Sequence, residues 1–160
     1  MHAVFEGVFK HLLFFWFSSE FHHKAFYIGR HQREIDVQLT RICVPHDFGR
    51  KPRSLEDMKH FKATEFHDVM LYFMLPLVQP YLPVDHFHHF AILITAITIL
   101  LSESTENEIK LAGILLDFFV YKMESLYGFS AMTMNVHSLT HLSQQVSNTG
   151  PLWCNSIFSI

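Results

Sequence analysis

Glycine is scarce in this chain, at six residues in 160, and no phosphate-cradling glycine loop appears, so a nucleotide-binding fold built on such turns is not expected. No G-x-S-x-G element is present, and neither cysteine has a local histidine partner, which leaves nucleophilic catalysis without a motif. The two cysteines, Cys43 and Cys154, lie far apart and outside any C-x-x-C pair. A disulfide framework is therefore not expected, and the pattern fits two reduced, structural thiols. Long apolar runs are missing too. The longest, Phe90–Leu101, has 12 residues, where a spanning helix needs roughly 20, so no membrane segment is expected. The stretch 1–17 is apolar enough for a signal peptide. However, Glu6, Lys10 and His11 interrupt it and no basic segment precedes it, so it reads as an amphipathic core helix and the chain as not secreted.

What the chain does have is apolar residues, at 49%, including 17 phenylalanines, enough for an aromatic-rich core in one domain spanning 1–160. The net charge of −3 names no partner, but its distribution is uneven. Residues 22–62 carry nine Lys or Arg against five acids, a local net of +4 that leaves −7 for the remainder. A basic segment beside an acidic apolar one is a weak nucleic-acid signal, and it is also what a solvated loop carries for solubility.

Periodicity predicts an all-α chain of about six helices. Residues 3–17 carry two stripes at helical spacing, one through Val4, Val8, His11, Leu12 and Phe15 and one through Phe5, Phe9, Leu13 and Trp16, so this helix is apolar around most of its girth and must be buried on more than one side. A helix over Arg30–Val44 presents Ile35, Leu39 and Ile42, and Pro45 closes it. Pro45 and Pro52 bracket a basic loop, and Ser54 is placed to cap a short helical turn. A helix over Thr64–Leu75 meets Pro76 and Pro80, which must kink or end it. Pro83 with Asp85 opens a long helix to about Leu101. Thr105 and Glu108 form a capping box for the next, which runs to Tyr127 with Gly128 as its C-cap. Asn135 is a candidate cap for a last helix, Val136–Ser147, before Gly150-Pro151.

Thirteen histidines invite a metal reading. His137 and His141 sit at i, i+4, the spacing of two zinc ligands on a helix, but the glutamate of H-E-x-x-H is absent. His86, His88 and His89 cluster near a helix start, and His22 and His23 adjoin. A site needs three or four convergent ligands, and no Cys or carboxylate is placed to complete one, so satisfied core or surface histidines are the plainer reading. Glu65 and Asp68 fall where solvent faces are expected.

Several words in the chain go further. They are Met1-His2 leading into an apolar helix, Arg53-Ser54-Leu55 followed by Lys62-Ala63-Thr64-Glu65-Phe66, and the pairs Leu75-Pro76 and Leu82-Pro83. His88-His89-Phe90 precedes an apolar helix ending Ile99-Leu100-Leu101. The most specific run is Met132-Thr133-Met134-Asn135-Val136-His137-Ser138-Leu139-Thr140-His141-Leu142, then Gly150-Pro151-Leu152-Trp153 and Ser156-Ile157-Phe158. Together and in this order they resemble the helical region of CACTA (En/Spm-like) DNA transposases and of related mobile elements. The likeness covers essentially the whole chain.

That resemblance implies an RNase H-like parent in which acidic residues hold two divalent metals at a phosphodiester. It implies that the chain is the helical insertion between the D-x-x-H motif and the final catalytic Glu. His2, His137, His141 and Trp153 would be motif residues. The motif Asp would fall two residues before Met1 and the Glu beyond Ile160, so the chain is expected to be a piece of a larger transposase. With no catalytic residues and no metal ligands of its own it is not expected to be an enzyme, and magnesium is implied only for the full-length parent. The plainer reading of His2 is a frayed terminal side chain. Arg50, Lys51 and Arg53 are the candidate DNA-phosphate contacts. Self-association through exposed apolar helices, the N-terminal helix and the Phe-rich faces among them, is also expected, and the location would be nuclear if the chain is functional. A domesticated DNA- or protein-binding module and a His-rich metal-binding protein stand as alternatives.

Overall fold

In a computed structural model that describes residues 1–155, Ala3–Phe9 forms a π-helix that runs directly into an α-helix, α1, Lys10–Phe17. Both apolar stripes of this rod are buried: Val4, Phe5, Phe9, Leu12, Leu13 and Trp16 have no exposed surface, and Val8 and Phe15 have 1%. The expectation that the N-terminal helix leaves an apolar face open is therefore corrected, because this chain's own helices enclose it. Gly7 allows one of them close. A Cβ there would lie 2.6 Å from the Asn135 side chain.

A 3-10 turn, Gly29–His31, leads into α2, Gln32–Arg41, which buries Ile35 and Leu39. It stops short of Val44, with Ile42 already extended as the chain approaches Pro45. The Ser54 hydroxyl accepts from the Glu56 N–H at 3.1 Å and starts the 3-10 segment Leu55–His60, as its sequence position indicates.

The helix expected up to Pro76 runs past it in three pieces. These are α3, Ala63–Asp68, then a π-helical stretch, Val69–Phe73, then α4, Met74–Val78. A proline ring clashes with the carbonyl four residues before it, here that of Tyr72. The wider π turn sits at that carbonyl and accommodates the ring without breaking the rod.

The centre is the hairpin of α5, Val84–Leu101, and α6, Glu106–Tyr127. The capping box is present as expected: the Glu108 N–H donates to Thr105 Oγ1 at 3.3 Å, and the Thr105 N–H to Glu108 Oε2 at 2.7 Å. Gly128 ends α6 at φ +94°, a conformation that side chains disfavour. Helix α5 is the only described helix long and apolar enough to cross a membrane, with a mean hydropathy of 1.6. In this fold it is the central core helix, burying Phe90, Leu93, Ala96, Ile97 and Leu100.

The last expected helix is divided. α7, Met134–Ser138, passes through a 3-10 turn, Leu139–His141, into α8, Leu142–Thr149. The Ser138 and Thr140 hydroxyls donate back to the carbonyls of Asn135 and His137 at 2.7 and 2.8 Å, offering the backbone an alternative to straight helix. Thr133, not Asn135, supplies the cap, accepting from the Val136 N–H.

The helices meet at a polar junction inside the aromatic core. Trp16 Nε1 donates to the Tyr127 hydroxyl at 2.9 Å, and the Ile28 N–H donates to the Trp16 carbonyl at 2.8 Å. Phe15 stacks on Tyr127 at 5.1 Å, and Phe9 on Phe90 at 5.8 Å. His86 and His89 of α5 are buried, and each places Nε2 on an α6 carbonyl, Leu126 at 3.1 Å and Phe119 at 2.8 Å. Carbonyls only accept, so both rings carry the proton on Nε2. Each Nδ1 is then a buried acceptor with no partner. Burial drives the His89 pKa down to about 4, against a smaller upward pull from its bond to the Phe119 carbonyl. Burial lowers His86 as well.

Tyr127→Phe strands the Trp16 N–H and is expected to cost about 1–3 kcal/mol in urea unfolding, with the fold retained. The histidines set a pH limit. Their folded pKa values lie below the ordinary 6.5, so the unfolded chain binds protons more readily. Stability is full above about pH 6.5 and is lost as pH falls towards 4, at up to roughly 1.4 kcal/mol per pH unit for each proton. Urea midpoints measured from pH 7.5 to 4.5 check this, and His89→Phe is expected to flatten the lower part of the curve.

Candidate functional site

The basic loop between Pro45 and Pro52 is tied down at its exit. The Asp36 carboxylate on α2 accepts from the Ser54 hydroxyl at 2.9 Å and from the Leu55 N–H at 2.7 Å. Phe48, within the loop, packs edge-on against Tyr72 at 5.4 Å and lies 5.8 Å from Phe73. Arg53 is more deeply engaged. Its Nε and Nη2 grip the two oxygens of Glu65 at 2.7 and 3.0 Å, Nη2 also donates to the His60 carbonyl, and the guanidinium lies 5.2 Å over the Phe61 ring.

Glu65 closes the arrangement by accepting the Lys62 N–H at 2.8 Å, which caps the first turn of α3. Burial pushes its carboxyl up, but the hydrogen bond from Arg53 and the Lys62 N–H together hold it below the ordinary carboxylate value. The three candidate phosphate contacts therefore separate. Arg50 and Lys51 stand exposed in the loop, whereas Arg53 is a structural clamp with Nε and Nη2 engaged. Glu65, expected on a solvent face, is mostly enclosed, and Asp68 is half-buried.

Arg50 faces a groove of about 350 Å³ lined also by Met1, Thr64, His67, Asp68, Leu101 and Trp153. His67 Nδ1 meets Asp68 Oδ1 at 2.9 Å on the groove wall. The first residue of the chain and the motif tryptophan thus share one surface with a basic side chain. Thr64, His67 and Asp68 were not singled out by the sequence for such a site, because nothing local marks them; only the fold brings α3 beside Met1 and Trp153. His2 itself is exposed and pairs with Glu6 on its own helix.

His137 and His141 are exposed neighbours, with ring centroids 5.4 Å apart and planes at 82°. They are not part of the groove lining. Among the described residues no group of three His, Cys, Asp or Glu side chains converges as metal ligands would. The His86, His88 and His89 cluster is dispersed: two rings are core, and the exposed His88 lines a separate cleft between α5 and α6 with Asp85 and Lys122. Cys43 and Cys154 form no disulfide, as expected, and both are exposed. The motif stretch Ser156-Ile157-Phe158 lies outside the described residues.

No family model, no curated protein and no solved structure matches the chain.

The Arg53 clamp makes a measurable claim. Arg53→Ala and Glu65→Gln are each expected to lower stability, and a double-mutant cycle read by urea unfolding is expected to return a coupling of about 1 kcal/mol for this bidentate, partly enclosed pair. Additive effects would show that the two side chains act independently.

Proposed function

We propose that this chain is the helical insertion region of a CACTA-type DNA transposase, without catalytic carboxylates of its own, serving to brace the nuclease core and its DNA. The observation that carries the reading is the meeting of Met1, next to motif residue His2, with motif residue Trp153 in one groove. A helical insertion has to leave its host strand and rejoin it nearby, so motif residues at its two flanks are expected to be neighbours. A second observation supports it. Two of the motif words are physically joined, since the arginine of Arg53-Ser54-Leu55 clamps the glutamate of Lys62-Ala63-Thr64-Glu65-Phe66.

In this reading Arg50 and Lys51, exposed beside the junction, contact the phosphates of DNA held by the host nuclease. Such contacts are independent of base sequence and fall with salt. No observation on the histidines favours a metal-binding reading over this one.

Fluorescence anisotropy on a short duplex tests it. Binding by the 160-residue chain is expected to weaken with salt at a log–log slope of roughly −0.9 per phosphate contacted, and Arg50→Ala with Lys51→Ala to shrink that slope by about two contacts. Affinity that ignores salt and survives both substitutions would remove DNA contact from the reading. Magnesium-dependent nicking of DNA by the purified chain would overturn it altogether.

A further inference from the structure

Among the described residues, one face of α6 has no partner within the chain. The helix buries Ile109, Ala112, Leu116, Phe119, Met123 and Tyr127 against the core. Its opposite side exposes Leu111 at 49%, Ile114 at 67%, Phe118 at 44% and Tyr121 at 77%. The intervals between these four are three, four and three residues, which is the spacing of a coiled-coil seam. On a helix they form one continuous stripe roughly 15 Å long rather than scattered single side chains.

The flanks of the stripe differ. One carries the exposed Lys110, Asp117 and Glu124, seven residues apart, while the other carries Leu115 and Lys122, both half-buried. Lys122 is also engaged at home, its Nζ 5.8 and 5.9 Å from the rings of Phe118 and Tyr121. A parallel partner would have to use Lys122. An antiparallel second copy instead brings the exposed flank against itself. Leu111 then faces Tyr121 of the partner, Ile114 faces Phe118 of the partner, and Lys110 meets Glu124 of the partner, each pairing occurring twice about the dyad. Asp117 meets its own copy near the dyad, one like-charge contact against two opposite-charge pairs.

We propose that the chain self-associates through this stripe as an antiparallel α6–α6 homodimer. A four-residue seam is smaller than the roughly 800 Å² per partner of a standard interface, so the dimer is weak, with a Kd on the order of 10 µM.

Sedimentation velocity from about 1 to 200 µM reads it directly, since that range brackets the expected Kd. The parent is expected to shift from monomer to dimer, and Ile114→Glu or Tyr121→Glu to abolish the shift with an unchanged melting temperature, as both sites are exposed. Lys110→Glu and Glu124→Lys are each expected to raise Kd several-fold. Mixing these two variants restores opposite charges at both pairs and is expected to recover the parental Kd, which a general loss of packing would not allow. Three results would overturn the proposal: a chain monomeric at every concentration, as when another protein covers this face; association that persists in the Ile114 and Tyr121 variants; or no recovery on mixing.

Discussion

The Trp16 indole reaches the Tyr127 hydroxyl across 111 residues of sequence, at a point where neither group has access to water. Two large rings deliver apolar surface to the core, and each brings a polar end that needs a partner there. By meeting, they satisfy one another and hold the N-terminal rod against the end of the central hairpin. Phe15, Phe26, His86 and His89 all lie within 6 Å of the Tyr127 ring, centroid to centroid, so the same point orders the aromatic packing around it. Burial pushes the Tyr127 pKa up, which keeps the phenol neutral.

Much of this architecture was legible in the residues themselves. The Thr105–Glu108 box, Gly128 and Pro83 delimit the hairpin by local chemistry, and the double stripe of residues 3–17 foretells burial on several sides. What was not legible depends on interactions between turns or between distant segments. The π-helical widening ahead of Pro76 and the tight turn at Leu139–His141 are compromises that a helical period cannot report. The site followed the same division. Arg50 and Lys51 were visible as charge, but the capture of Arg53 by Glu65 depends on how two separate turns pack. Thr64, His67 and Asp68 join the groove only because α3 passes beside Met1 and Trp153.

Two kinds of surface stand apart on the molecule. The groove combines Met1, Arg50 and Trp153 with a His67–Asp68 pair, a setting of mixed charge and aromatic surface. The outer face of α6 is an apolar seam with charged edges, suited to another helix. The two do not share a residue, so the proposed pairing through α6 leaves the basic loop of each copy exposed.

Met1 and Trp153 share one groove, so the first turn of the N-terminal rod and the 3-10 segment Leu152–Asn155 come to the same surface. Segments far apart in sequence that meet at one surface leave the helical interior untouched by whatever is joined there, so load applied at that surface passes into the rod and α3 together.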